Sequence, residues 1–212
     1  MLKSLLIILI FTQVSIGQVK SDDYKIYSLI INELLNSNND SKNESVLIID
    51  RYVNRFKLSD YEIFDYETDS VTSSDINFLY ANGVQKSFIQ KLQNDLTLKT
   101  AIKELTSDIQ NQPVIQVDLL DSYNFSFESI SYEKYQSLFG KRRLKRNSWK
   151  KIERKYGVEK VIELSKVNYS GNYATTYFGL HCGGLCGNGF FVVLERVNGN
   201  WSTIAKINLW ES

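Results

Sequence analysis

Four strand-like segments follow one another in the last third of the chain: Val161–Tyr169, Tyr173–Cys182, Gly187–Val197 and Trp201–Leu209. Each is rich in β-branched and aromatic residues, which suit a pleated, half-buried surface. Asn198-Gly199 separates the last two and is the preferred pair for a two-residue type I′ turn. That turn sets a register in which Arg196 faces Trp201, Leu194 faces Thr203, Val192 faces Ala205 and Phe190 faces Ile207. One face then carries Phe190, Val192, Leu194, Trp201, Ala205, Ile207 and Leu209. The other carries Phe191, Val193, Glu195, Ser202, Ile204 and Lys206. So one-sided an apolar surface needs a cover, and the expected cover is the helix that presents Trp149, Ile152 and Tyr156. The segments predict a four-stranded antiparallel meander covered by helices.

The preceding residues read as a helical and mixed half, which makes the fold α+β. Ile26, Leu29, Ile30 and Leu34 place an amphipathic helix over Tyr24–Leu35, followed by a polar loop over Asn36–Asn43. Val46–Ile49 reads as a buried strand, Tyr61–Tyr66 as a possible second, and Pro113–Leu120 as a third by its alternation. Ser73-Ser74-Asp75 opens a helix, Gly83 interrupts it, and Phe88, Ile89 and Leu92 continue as another. Glu133–Phe139 and Ser148–Tyr156 are helical. These readings divide the chain into a mixed α/β region over 18–125 and a helix-plus-sheet region over 126–212, compatible with one continuous domain.

Residues 1–17 have the layout of a secretory signal peptide. A basic start (Lys3) leads into the apolar run Leu5–Phe11, and Ser15-Ile-Gly17 supplies the small residues of a cleavage site between Gly17 and Gln18. The run is too short to span about 30 Å of hydrocarbon. The expectation is an exported, periplasmic or extracellular protein, with no transmembrane segment after signal removal. The remaining 195 residues suffice for one large domain or two small ones.

Both cysteines and the only histidine lie within His181-Cys-Gly-Gly-Leu-Cys-Gly-Asn-Gly189. With Gly183-Gly184-Leu185 as a hairpin loop, Cys182 and Cys186 sit across a turn at a separation a disulfide can bridge. In an exported chain the simplest reading is a structural disulfide. Zinc would find three of the four ligands it wants in His181, Cys182 and Cys186. Adjacent residues of a strand point to opposite faces, which also opposes a Cys–His nucleophile. The spacing is not the Cys-X-X-Cys of redox motifs. The glycines lead into a strand and lack the Lys-Ser/Thr ending of a phosphate loop. His181 itself reads as a surface residue at a strand end.

Charge is unevenly placed. Residues 18–75 carry 12 acidic and 6 basic side chains, whereas residues 76–212 carry 12 acidic and 18 basic. The halves cancel, which argues against a dedicated nucleic-acid binder, whose whole domain is usually basic. The basic excess concentrates in Lys141, Arg142, Arg143, Lys145, Arg146, Lys150, Lys151, Arg154 and Lys155. These make a candidate anion-binding surface for lipid, polysaccharide or a nucleic-acid backbone. The alternative is a solvated face neutralised by Asp60–Asp75, which holds six acids and no base. Alternate carboxylates at Asp65, Glu67 and Asp69 would suit calcium, but the glycine and terminal Glu of an EF-hand loop are missing.

A wider pattern runs through Trp149, Lys155 and Tyr156, then Leu164-Ser165-Lys166-Val167, Ala174 and Tyr177. It continues through Cys182-Gly-Gly-Leu-Cys-Gly187 with Gly189, and ends with Leu194, Gly199 and Trp201. This pattern resembles an uncharacterised family of exported bacterial proteins and covers roughly Ser148–Trp210. The resemblance implies export and the C-terminal sheet, and brings no activity, substrate or catalytic residue. The expected function is non-enzymatic binding of an envelope polyanion or a protein partner. Tyr173, Tyr177 and Phe191 are further candidate contact positions, and no cofactor is called for. The alternative is a thiol-dependent redox enzyme or other hydrolase of the cell envelope.

Overall fold

Strand β1 (Glu44–Ile49) holds Val46, Leu47, Ile48 and Ile49 in succession, all fully buried. An unbroken apolar run of this kind needs cover on both faces, the situation of a parallel strand inside a sheet. β1 indeed lies between two parallel neighbours, β2 (Phe125–Ile130) and β3 (Lys160–Leu164). In the computed structural model these join β4 (Asn168–Ser170), β5 (Tyr173–His181), β6 (Asn188–Val197) and β7 (Asn200–Glu211) in one mixed seven-stranded sheet. Its order is β2-β1-β3-β5-β6-β7, with β4 also paired to β5. The fold is α+β. The structure describes residues 22–35, 44–52, 70–103, 114–122, 124–139, 145–183 and 186–212. The expected signal peptide with its expected Gly17–Gln18 junction, the loop expected over 36–43 and the strand expected over 61–66 lie outside the described residues.

The helices are α1 (22–35), α2 (Ser73–Ala81), α3 (Lys86–Asn94), α4 (Leu96–Lys103), α5 (Tyr132–Leu138) and α6 (Lys145–Tyr156). Helix α2 starts with a capping box: the Asp75 backbone N–H donates to Thr72 Oγ1 at 3.3 Å, and the Thr72 backbone N–H donates to Asp75 Oδ2 at 2.6 Å. Asp75, the last acid of the Asp60–Asp75 stretch, is thus the buried third helical residue whose carboxylate completes the capping box of Thr72. Among the described residues no helix is long and apolar enough to cross a membrane.

Three expectations are corrected. The sheet is not a four-stranded antiparallel unit, because β1 and β2 extend it in parallel and the segment expected as one strand over Val161–Tyr169 is split into β3 and β4. Ser165 occupies the break. Its Oγ accepts from the Tyr177 N–H at 2.8 Å and its carbonyl accepts from the Tyr27 hydroxyl at 2.9 Å, so the polar groups of the interruption are satisfied inside the core. The alternation over Pro113–Leu120 produces no strand; Val117–Leu119 is a short 3-10 turn, and Pro113 lies outside the described residues. Helix α4 and strand β2 were not anticipated.

The third correction concerns register. Asn198 (φ 52°) and Gly199 (φ 84°) adopt the two positive φ values of the type I′ turn, and Arg196 pairs with Trp201 and Leu194 with Thr203, as expected. Beyond Leu194 a register shift pairs Val193 with Ala205 and Phe191 with Ile207. An extra residue in one strand moves every later side chain to the opposite face. Ala205 and Ile207 therefore leave the Phe190–Val192–Leu194 face and join Phe191 and Val193.

Each sheet face has its own cover. Helix α1 packs Ile26, Tyr27, Ile30 and Ile31 against Val46, Ile48, Phe178, Val192 and Leu194. On the other face α2–α4 cover Tyr177, Phe191, Val193, Ala205 and Ile207. Helices α5 and α6 cover Leu47, Ile49 and Val161 beside them. Ile152 of α6 thus packs over the β1–β3 end of the sheet rather than over the β6–β7 hairpin.

Candidate functional site

The candidate site lies where β5 hands over to β6. Cys182 and Cys186 form a disulfide with their Cα atoms 5.2 Å apart, as the spacing predicts. The end of β7 anchors this loop: the Ser212 N–H donates to the Gly187 carbonyl at 2.9 Å, and the Gly187 N–H donates to Ser212 Oγ at 3.0 Å.

Next to the disulfide, on the face covered by α2–α6, the sheet carries a polar and aromatic cluster. It adjoins the core under α2–α4 through Tyr177 and the core under α5 and α6 through Tyr135, whose ring centre lies 6.4 Å from that of His181. Val161 pairs with His181 and Glu163 with Gly179, so Glu163 and His181 are diagonal neighbours on one face. His181 Nε2 stands 3.3 Å from Glu163 Oε1, with the Glu163 side chain only 3% exposed and that of His181 24%. Among the described residues neither atom finds an aligned hydrogen-bond partner. The imidazole stacks on Trp210, ring centres 5.2 Å apart and planes 27° from parallel. The Trp210 indole N–H donates to the Tyr177 hydroxyl at 3.1 Å. The indole lies over Gly189, and a Cβ built at that position would clash with its Nε1.

His181 is therefore half-buried between Glu163 and Trp210 rather than the surface residue its strand-end position suggested. Tyr173, Tyr177 and Phe191, read as contact positions, are 6%, 5% and 0% exposed, which removes them as surface candidates. Glu163 and Trp210 were missed. The signal available for Glu163 was a carboxylate within Val161-Ile162-Glu163-Leu164, at an inward-facing position of an otherwise apolar strand.

Removing the imidazole would leave the buried carboxyl of Glu163 without a counterpart. His181→Ala is expected to cost about 2–3 kcal/mol at neutral pH. Added to that background, Glu163→Gln should cost little more, because the carboxyl has already lost its partner. Denaturant unfolding of the two single variants and the double variant measures the coupling; strictly additive costs would show that the pair does not interact.

A pocket of about 230 Å³ opens beside the disulfide. Trp149 and Glu153 of α6, Val158 and Glu159 after it, and Cys182, Gly183 and Cys186 line it. Trp149 is held edge-on against Phe139, ring centres 5.5 Å apart at 75°. The helical period of 3.6 residues puts Trp149, Ile152, Glu153 and Tyr156 on one side of α6 and Lys150, Lys151, Arg154 and Lys155 on the other. Those four cations are exposed, and no described residue forms an ion pair with them. The Lys155 ammonium lies 4.8 Å from the ring centre of Tyr156. Of the remaining basic candidates, Lys141, Arg142 and Arg143 lie outside the described residues, and Lys145 and Arg146 begin α6. The neutralising stretch over residues 60–69 and the alternate carboxylates Asp65, Glu67 and Asp69 lie outside the described residues. Comparison with protein-family models, curated proteins and solved structures finds no match to this chain.

Proposed function

We propose that this is an exported protein that acts by binding rather than by catalysis, and that it meets an anionic polymer of the cell envelope through the outer face of α6. The observation that carries the reading is the exposed quartet Lys150, Lys151, Arg154 and Lys155, unpaired among the described residues while Ile152 of the same helix is fully buried. Burial of Ile152 fixes which side of the helix faces outward. The adjoining Lys141, Arg142, Arg143, Lys145 and Arg146 add positive charge along the sequence. Export is supported by the basic, apolar and small-residue layout of residues 1–17 and agrees with a disulfide, which persists in oxidising compartments.

Binding to immobilised heparin, used as a polyanion probe, should fall steeply with added salt, because each phosphate- or sulfate-like contact releases counterions. Replacing all four cations by Gln should flatten the log–log salt slope by about 3, taking roughly 0.7–0.9 per contact. Salt-independent retention, or an unchanged slope in the quadruple variant, would remove the reading.

A further inference from the structure

The side of α6 that carries Trp149 bears an exposed acid, Glu153, where the outer side bears cations, and that side lines a cavity. Glu153 and Glu159 both reach the pocket, and neither is in an ion pair among the described residues, although α6 carries four exposed cations a fraction of a turn away. The pocket also sits at the carboxyl end of α6, where the aligned peptide dipoles place partial negative charge. Trp149 supplies an aromatic wall held in place by Phe139. Val158, 1% exposed, adds an apolar surface, and the disulfide-linked Cys182 and Cys186 with Gly183 form the remaining side.

We propose that this pocket is a binding site for a small organic cation bearing an ammonium group. An indole face attracts a cation through its quadrupole, and best when the cation is weakly hydrated, as a quaternary ammonium is. The two carboxylates supply the charge that a neutral or anionic ligand would not answer. A volume near 230 Å³ admits a compact ammonium compound and is below the range that drug-sized ligands occupy. The site is distinct from the polyanion surface, since Glu153 and the outer cations lie on different sides of α6 and Glu159 follows the helix.

The test is a titration of the mature, oxidised protein with choline, followed by the choline methyl resonance, against the uncharged alcohol in which carbon replaces the quaternary nitrogen. Choline is expected to bind with millimolar affinity, and the neutral isostere at least about fivefold more weakly. In the double variant Glu153→Gln/Glu159→Gln that preference should disappear. Both carboxylates are exposed, so the variant is expected to fold, and its thermal transition checks this. The quadruple Gln variant of the outer face should keep the choline site while losing heparin, which separates the failure of one reading from the failure of the other. No choline binding, equal binding of the neutral isostere, or a preference that survives the double variant would overturn the proposal.

Discussion

Gly189→Ala is expected to lower the unfolding free energy by about 2–4 kcal/mol, a large effect for the addition of one methyl group. The position is special because Trp210, on the edge strand β7, lays its indole directly over the bare backbone of Gly189. Aromatic cover of a glycine in a neighbouring strand is a known way of filling the gap that a missing side chain leaves. A Cβ there would force the indole away. The Trp210 donation to Tyr177 and the stack on His181 would both be lost with that movement. The hydrogen bond alone is worth about 1 kcal/mol. Denaturant unfolding of Gly189→Ala measures the loss. In a Trp210→Ala background the added methyl group should cost much less, and that non-additivity identifies the indole as the cause. A cost below about 0.5 kcal/mol in the wild-type background, the range of ordinary surface changes, would sink the argument.

The second large effect is alkaline unfolding. Burial raises the hydroxyl of Tyr52 to about 12 and pushes Tyr24, Tyr27, Tyr169 and Tyr173 above their ordinary value of 10.0. The hydrogen bond to Asp23 adds to the rise at Tyr169, and that to Asp95 adds to it at Tyr173. A raised folded value means that the native state keeps protons which the unfolded chain releases. The stability contributed is complete below pH 10 and is lost as pH rises through the folded values. Each such tyrosine removes about 1.4 kcal/mol per pH unit across its window. Several acting together remove free energy comparable with the total stability of an ordinary domain, about 5–15 kcal/mol, over about two pH units. Phenolate absorbance should therefore rise in two stages, the accessible tyrosines first and the buried ones in a step that coincides with loss of the helical circular-dichroism signal. A single smooth titration near pH 10 with the fold intact would contradict the tyrosine environments described here.

Both predictions depend on features whose legibility in the sequence differs. The Asn198-Gly199 turn was readable because a type I′ hairpin admits few residues at its two positive-φ positions. The disulfide was readable because two cysteines four apart in a glycine-rich segment can reach each other across a turn. The buried strand at Val46–Ile49 was readable from its composition, but its parallel partners were not. β1 joins β2 across 81 residues and β3 across 114, and no local pattern encodes a pairing at that separation. Helix α4, with three buried positions in eight residues, Leu98, Ala101 and Ile102, gave too short a period to stand out.

The register of the last hairpin shows the division most clearly. Local sequence determined its turn, its direction and its first pairs, because those depend on φ values and hydrogen bonds among residues a few positions apart. The register shift after Leu194 was decided by the helices on either side, which draw Ala205 and Ile207 to the Phe191 face while leaving Phe190, Val192 and Leu194 to α1. The same holds for the candidate site. Chain chemistry alone determined that cysteine and imidazole would meet in one short segment and that one helix would be strongly basic. Tertiary structure placed Glu163 and Trp210 against His181 and turned Glu153 and Trp149 toward the disulfide, because apolar burial across distant segments, rather than local preference, chooses which side of each element faces inward.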